Sequence, residues 1–67
     1  MKWLKVENNA IESTPFRIYR NTEVKKPYFE LYEINFKNEA TFLGEFSTEL
    51  EAKHYAERTQ RCYGRGF

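Results

Sequence analysis

One cysteine, Cys62, and one histidine, His54, are the only cross-linking or soft-ligand side chains in this 67-residue chain. No intrachain disulfide can form, and no zinc site of three or four nitrogen and sulfur ligands can be built from one copy. Short domains usually rely on such staples, because a chain of about 60 residues buries only about 60% of the surface its unfolded form exposes. The fold must be held by side-chain mass. Six phenylalanines, five tyrosines and one tryptophan supply it, since each ring can bury roughly 150–250 Å². The length allows one core and no second lobe. We read a single domain over residues 1–62 and a frayed tail over 63–67, with Gly64 as the helix stop.

Periodicity predicts an α+β fold, a three- to four-stranded antiparallel sheet packed against one C-terminal helix. Residues 1–6 alternate as a short strand, and Asn8-Asn9 follows as a turn. Residues 10–15 read as irregular, because Pro15 lacks the N–H that a ladder needs. From Phe16 to Arg20 the alternation is strict, with Phe16 and Ile18 on one face and Arg17 and Tyr19 on the other. A polar loop, Asn21 to Pro27, leads to a strand from Tyr28 to Phe36, where a slip in parity predicts either a bulge near Glu33 or partial cover on both faces. Residues 37–39 turn the chain into an antiparallel partner, Ala40 to Phe46. Its alternation sets Phe42, Gly44 and Phe46 against Leu43 and Glu45. Thr48-Glu49-Leu50-Glu51 has the form of a capping box, and Ala52, Tyr55, Ala56 and Thr59 share one helical face. Gly44 opposite the alanines predicts a helix lying close on the sheet.

The net charge is +1, without the strong basic excess of a typical nucleic-acid module. Its distribution is uneven. Lys2, Lys5, Arg17, Arg20, Lys25 and Lys26 dominate the first third, Glu30, Glu33, Glu39, Glu45, Glu49 and Glu51 the middle, and Lys53, Arg58, Arg61 and Arg65 the end. Such a bipolar layout can steer a partner. No segment has the layout of a signal peptide and no apolar run approaches the roughly 20 residues of a membrane span, so with its lone cysteine the protein reads as cytoplasmic.

Catalytic chemistry is not expected. Cys62 lies about two helical turns beyond His54, out of hydrogen-bond reach, and the chain contains no aspartate. Gly44, Gly64 and Gly66 make no phosphate loop. No cofactor and no metal are expected. Two surfaces remain. The sheet face away from the helix carries Arg17, Tyr19, Tyr28, Glu30, Tyr32, Leu43 and Glu45, with Trp3 and Lys5 alongside; an aromatic patch with an arginine is the composition of an interface hot spot. The helix end and tail carry Arg58, Arg61 and Arg65. Leu50 lies off the core stripe as a further contact candidate.

Phe42-Leu43-Gly44-Glu45-Phe46-Ser47-Thr48, with Glu51-Ala52-Lys53 and Ala56-Glu57, resembles a Leu-Gly-x-Phe-x-Thr then Glu-Ala-x-x-x-Ala pattern over roughly residues 16–57. It is similar to AP2-type and integrase N-terminal DNA-binding domains, and to small phage and mobile-element proteins. The first resemblance implies major-groove reading by the exposed sheet, with Arg17 and Trp3 as readers; in a DNA-binding reading the cations Lys5, Arg58, Arg61 and Arg65 would be further nucleic-acid contacts. The second implies an anti-defence inhibitor or adaptor that occupies a host protein or nucleoprotein. Glu30 and Glu45 fall on the would-be reading face, where a carboxylate repels phosphate unless it accepts from a cytosine amino group. Our first expectation is therefore a non-enzymatic protein-binding module, monomeric or homodimeric, with Arg17, Tyr19, Tyr28, Tyr32 and Leu50 at the contact; DNA binding is the alternative.

Overall fold

The computed structural model describes residues 2–65, with side chains through Gln60. Five strands, β1 (Leu4–Glu7), β2 (Ala10–Ser13), β3 (Phe16–Asn21), β4 (Tyr28–Ile34) and β5 (Ala40–Phe46), precede one helix, α1 (Glu49–Arg65). The strands form a single antiparallel meander in chain order. The sheet thus has one or two strands more than the three to four expected. Residues 10–13 pair fully with β3, from Ala10 opposite Tyr19 to Ser13 opposite Phe16. Pro15 does not obstruct this ladder because it lies in the Thr14-Pro15 turn, whose peptide bond is cis. Its carbonyl accepts from the Ile34 N–H at 2.7 Å.

Alternation along β3 and β4 sorts the side chains between two faces. Phe16, Ile18 and Leu31 are fully buried beneath α1, where Ala52 and Ala56 complete the core. Trp3, Ile11, Phe29, Leu43 and Phe46 pack around this cluster. The helix crosses β3, β4 and β5, while β1 and β2 extend the sheet beyond it.

Thr48 caps α1: its Oγ1 accepts from the Glu51 N–H at 3.2 Å and donates to the Glu51 carboxylate at 3.0 Å. Glu49 pairs with Lys53 one turn on, at 3.4 Å. Both alanines have no accessible surface, so this face of the helix packs directly on the sheet. Gly44 has another role from the one predicted. A Cβ there would meet only the Phe46 ring, at 3.5 Å, an ordinary contact, and no helix atom lies near it. The helix backbone continues through Gly64 to Arg65; residues 66 and 67 of the expected tail, and the side chains from 61 onward, lie outside the described residues.

Both edge strands carry a bulge. In β1 the register slips between Lys5 and Glu7, and in β5 Leu31 faces Gly44 while Tyr32 faces Phe42, which leaves Leu43 as the extra residue. Strand β4 itself has no bulge near Glu33: Ile34 keeps the parity of Glu30, opposite Ala40, and both faces of the strand are partly covered, the second of the two expected outcomes. Among the described residues, no helix is long and apolar enough to cross a membrane.

Candidate functional site

The face of the sheet opposite α1 is open, and the strand register arranges its side chains in rows. Nearest the 22–27 loop, Asn21 lies opposite Tyr28 and its Nδ2 donates to the Tyr28 hydroxyl at 2.9 Å. The next row runs Ala10, Tyr19, Glu30, Glu45, and the one after it Leu4, Glu12, Arg17, Tyr32, Phe42. Ile34 and Ala40 close the array at the far hairpin.

Aromatic contacts tie the rows together. Tyr32 is the hub: its ring meets Tyr19 edge-on at 5.6 Å between centroids and 87° between planes, and meets Phe42 at 5.5 Å and 61°. Such edge-to-face pairs contribute about 0.5–1.5 kcal/mol beyond the area they bury. Phe42 is the residue that parity reasoning misplaced. Alternation through β5 puts it in the core and Leu43 outside; the bulge reverses both, and Phe42 stands half in solvent on the open face while Leu43 packs against the core. Only the neighbouring Gly44, which often accompanies a bulge, hinted at this.

Arg17 is already engaged. Its Nε and Nη2 donate to the same Glu12 oxygen at 3.0 and 2.7 Å, and its Nη1 donates to the Tyr19 hydroxyl at 3.1 Å. The Tyr19 bond first, and then the Glu12 carboxylate, hold its pKa above the usual arginine value. Glu12 escaped the sequence reading because β2 did. Glu30 and Glu45 are direct cross-strand neighbours, and among the described residues neither forms an ion pair. Burial foremost, then the charge of Glu30, with smaller contributions from Tyr19, Tyr28 and Glu45, pushes the Tyr32 phenol above its ordinary pKa. A broad hollow of about 490 Å³ lies over this region, lined by Tyr19, Arg20, Asn21, Glu30, Tyr32 and Ala40 on the sheet and by Asn9, Thr22 and Glu23 beyond it.

No family model matches the sequence, and neither a curated protein nor a solved structure matches it. Function has to be argued from this geometry.

Four of the expected contact residues, Arg17, Tyr19, Tyr28 and Tyr32, share the open face. Trp3 and Lys5 do not join them as predicted. Trp3 packs against the core, and Lys5 lies opposite Ile11, whose side chain packs there too. Leu50 is 61% exposed, but it belongs to α1 on the other side of the sheet. Arg58 is likewise exposed on the helix. The side chains of Arg61 and Arg65 lie outside the described residues.

Phe36 was read as the end of a strand, yet it is 94% exposed at the β4–β5 hairpin tip. The loop that presents it is organised by Asn35, whose Oδ1 accepts from the Lys37 and Glu39 N–H groups at 2.9 Å each and whose Nδ2 donates to the Glu39 carboxylate at 3.0 Å. Asn38 adopts a positive φ of 65° to complete the turn. Among the described residues, no cluster of three or more His, Cys, Asp or Glu side chains could hold a metal ion.

Proposed function

We propose that the protein is a non-enzymatic binding module that docks a protein partner on the open face of its sheet. One observation carries this reading: the contiguous Tyr19–Tyr32–Phe42 cluster, uncovered by the helix and tied together by edge-on ring contacts. Preordered rings lose little conformational freedom on binding, and aromatic residues with arginine dominate interface energetics. The bulges on β1 and β5 direct partners to the face, because a bulged edge is a poor template for adding a strand. In this reading the module works by occupancy, as an inhibitor or adaptor whose effect comes from covering a partner's surface.

Duplex DNA is the weaker alternative. Arg17, the one guanidinium on the face, is held by Glu12 and the Tyr19 hydroxyl, and Glu30 and Glu45 would meet phosphate with like charge.

The test is site-directed photo-crosslinking in host lysate, treated with nuclease, with the crosslinking side chain placed at Phe42 or, as control, at Leu50. Protein adducts from position 42 that exceed those from position 50 support the reading. With the captured partner, Tyr32→Ala should weaken binding by about 2 kcal/mol or more, roughly thirtyfold, while Arg58→Ala changes it little. Adducts from position 50 alone, or none surviving nuclease, would defeat it.

A further inference from the structure

The open face repeats one arrangement twice, and only the first copy is filled. In the outer row a carboxylate, Glu12, and a phenol oxygen, that of Tyr19, together hold the guanidinium of Arg17 at 2.7 to 3.1 Å. In the adjoining row Glu30 lies directly across from Tyr19 and beside Tyr32 along β4, again a carboxylate among phenols. Here there is no guanidinium. Instead the next residue in the row is a second carboxylate, Glu45, directly opposite Glu30.

Like charges directly opposite each other on paired strands destabilise the pair. Three carboxylates elsewhere have partners: Glu12 takes Arg17, Glu49 takes Lys53, and Glu39 takes the Asn35 amide. The hollow over the face is bounded by Glu30 together with Tyr19 and Tyr32, so that a group entering it meets carboxylate and ring at once; Arg20 also lines it, but among the described residues it forms no ion pair. The negative potential there is also felt by Tyr32, whose phenol is pushed up in part by both glutamates.

We propose that the open face receives an arginine-bearing segment of the partner protein, its guanidinium bound by Glu30 and Glu45 and flanked by the rings of Tyr19 and Tyr32. The inference rests on the docking reading above and adds the chemistry of the occupant. Guanidinium is favoured over ammonium because it is planar, bonds carboxylates through a fork of donors and stacks on aromatic faces. A second copy docked through the same face is a poor occupant, since two sets of unbalanced carboxylates would meet and Arg17 of that face is already engaged.

The experiment is a backbone-amide NMR titration of the intact protein with a blocked Gly-Arg repeat peptide, and with its lysine and citrulline counterparts. The arginine peptide should shift Tyr19, Glu30, Tyr32 and Glu45 and bind more tightly than the lysine peptide, and the neutral citrulline peptide should leave them in place. Glu30→Gln with Glu45→Gln should weaken the arginine peptide about tenfold or more without lowering the melting temperature, because the substitution removes a repulsion. A control variant, Glu57→Gln on the helix, should bind like the parent. Equal affinity of parent and double variant, shifts centred on the helix glutamates, or preference for lysine would overturn the proposal. So would a dimer, detected by sedimentation, that buries this face. The two readings fail separately. If Tyr32→Ala abolishes capture of the cellular partner while the double glutamine variant retains it in full, docking stands and the arginine assignment falls; if position 42 yields no adducts, docking itself falls.

Discussion

Tyr32 sits where side chains of β3, β4 and β5 converge, and its phenol is held above its ordinary pKa. Burial raises its pKa first and the Glu30 charge second, so the folded protein favours the neutral form more than the unfolded chain does. The linkage has one sign: this contribution to stability is complete below the unfolded value of about 10 and is lost as pH rises through the higher folded value. Unfolding measured at rising alkaline pH should therefore show a loss of stability that Tyr32→Phe reduces, and ultraviolet titration of the parent should show a late-ionising phenol that the variant lacks. Coincident titration curves after correction for one chromophore would refute it. Arg17 calls for a smaller number. Its bond to Glu12 is about one-quarter exposed on each side, so Glu12→Ala should cost less than about 1 kcal/mol in denaturant titrations. Its main effect is to free a guanidinium beside Tyr19.

Elements were legible where one periodicity ran unbroken. Strand β3, with Phe16 and Ile18 inward and Arg17 and Tyr19 outward, and the helix, with its Thr48 cap and its buried Ala52 and Ala56, follow directly from alternation and from 3.6-residue spacing. Legibility failed where a local device interrupted the count. Pro15 argued against a strand at residues 10–13 but occupies the turn beside it, so β2 and its Glu12 were missed. The Leu43 bulge moved Phe42 from the inferred core to the open face, and alternation cannot detect an inserted residue. Two substitutions separate the packing roles of Gly44 and the helix alanines. Ala52→Leu, at a site with no free surface, should lower stability by about 1–3 kcal/mol through overpacking. Gly44→Ala should raise it by about 0.5–1 kcal/mol, because the added methyl meets only the Phe46 ring at an ordinary distance while the unfolded chain loses freedom. A large loss at Gly44 in thermal melts would restore the idea that glycine sets the helix spacing.

At the scale of the whole molecule, the net charge of +1 makes any long-range field weak, so local arrangement decides which polymer the protein meets. The open face places the carboxylates of Glu12, Glu30 and Glu45 around the engaged guanidinium of Arg17, while Lys5 and Arg58 belong to the opposite side. Duplex DNA would have to approach an aromatic surface whose unbalanced charge matches its own. We expect no duplex binding tighter than about 10⁻⁶ M at physiological salt, the tight end of the non-specific range, as read by fluorescence anisotropy. Glu30→Lys with Glu45→Lys reverses the sign of the face without touching its rings, and should create binding whose log K falls with log salt by about 0.9 per phosphate neutralised. That pair of results would show that the aromatic platform can meet nucleic acid and that its two glutamates prevent it. Tight, sequence-selective and salt-steep binding by the parent, abolished by Arg17→Ala, would require that Arg17 leave Glu12 to read a base, and would put DNA recognition ahead of protein docking.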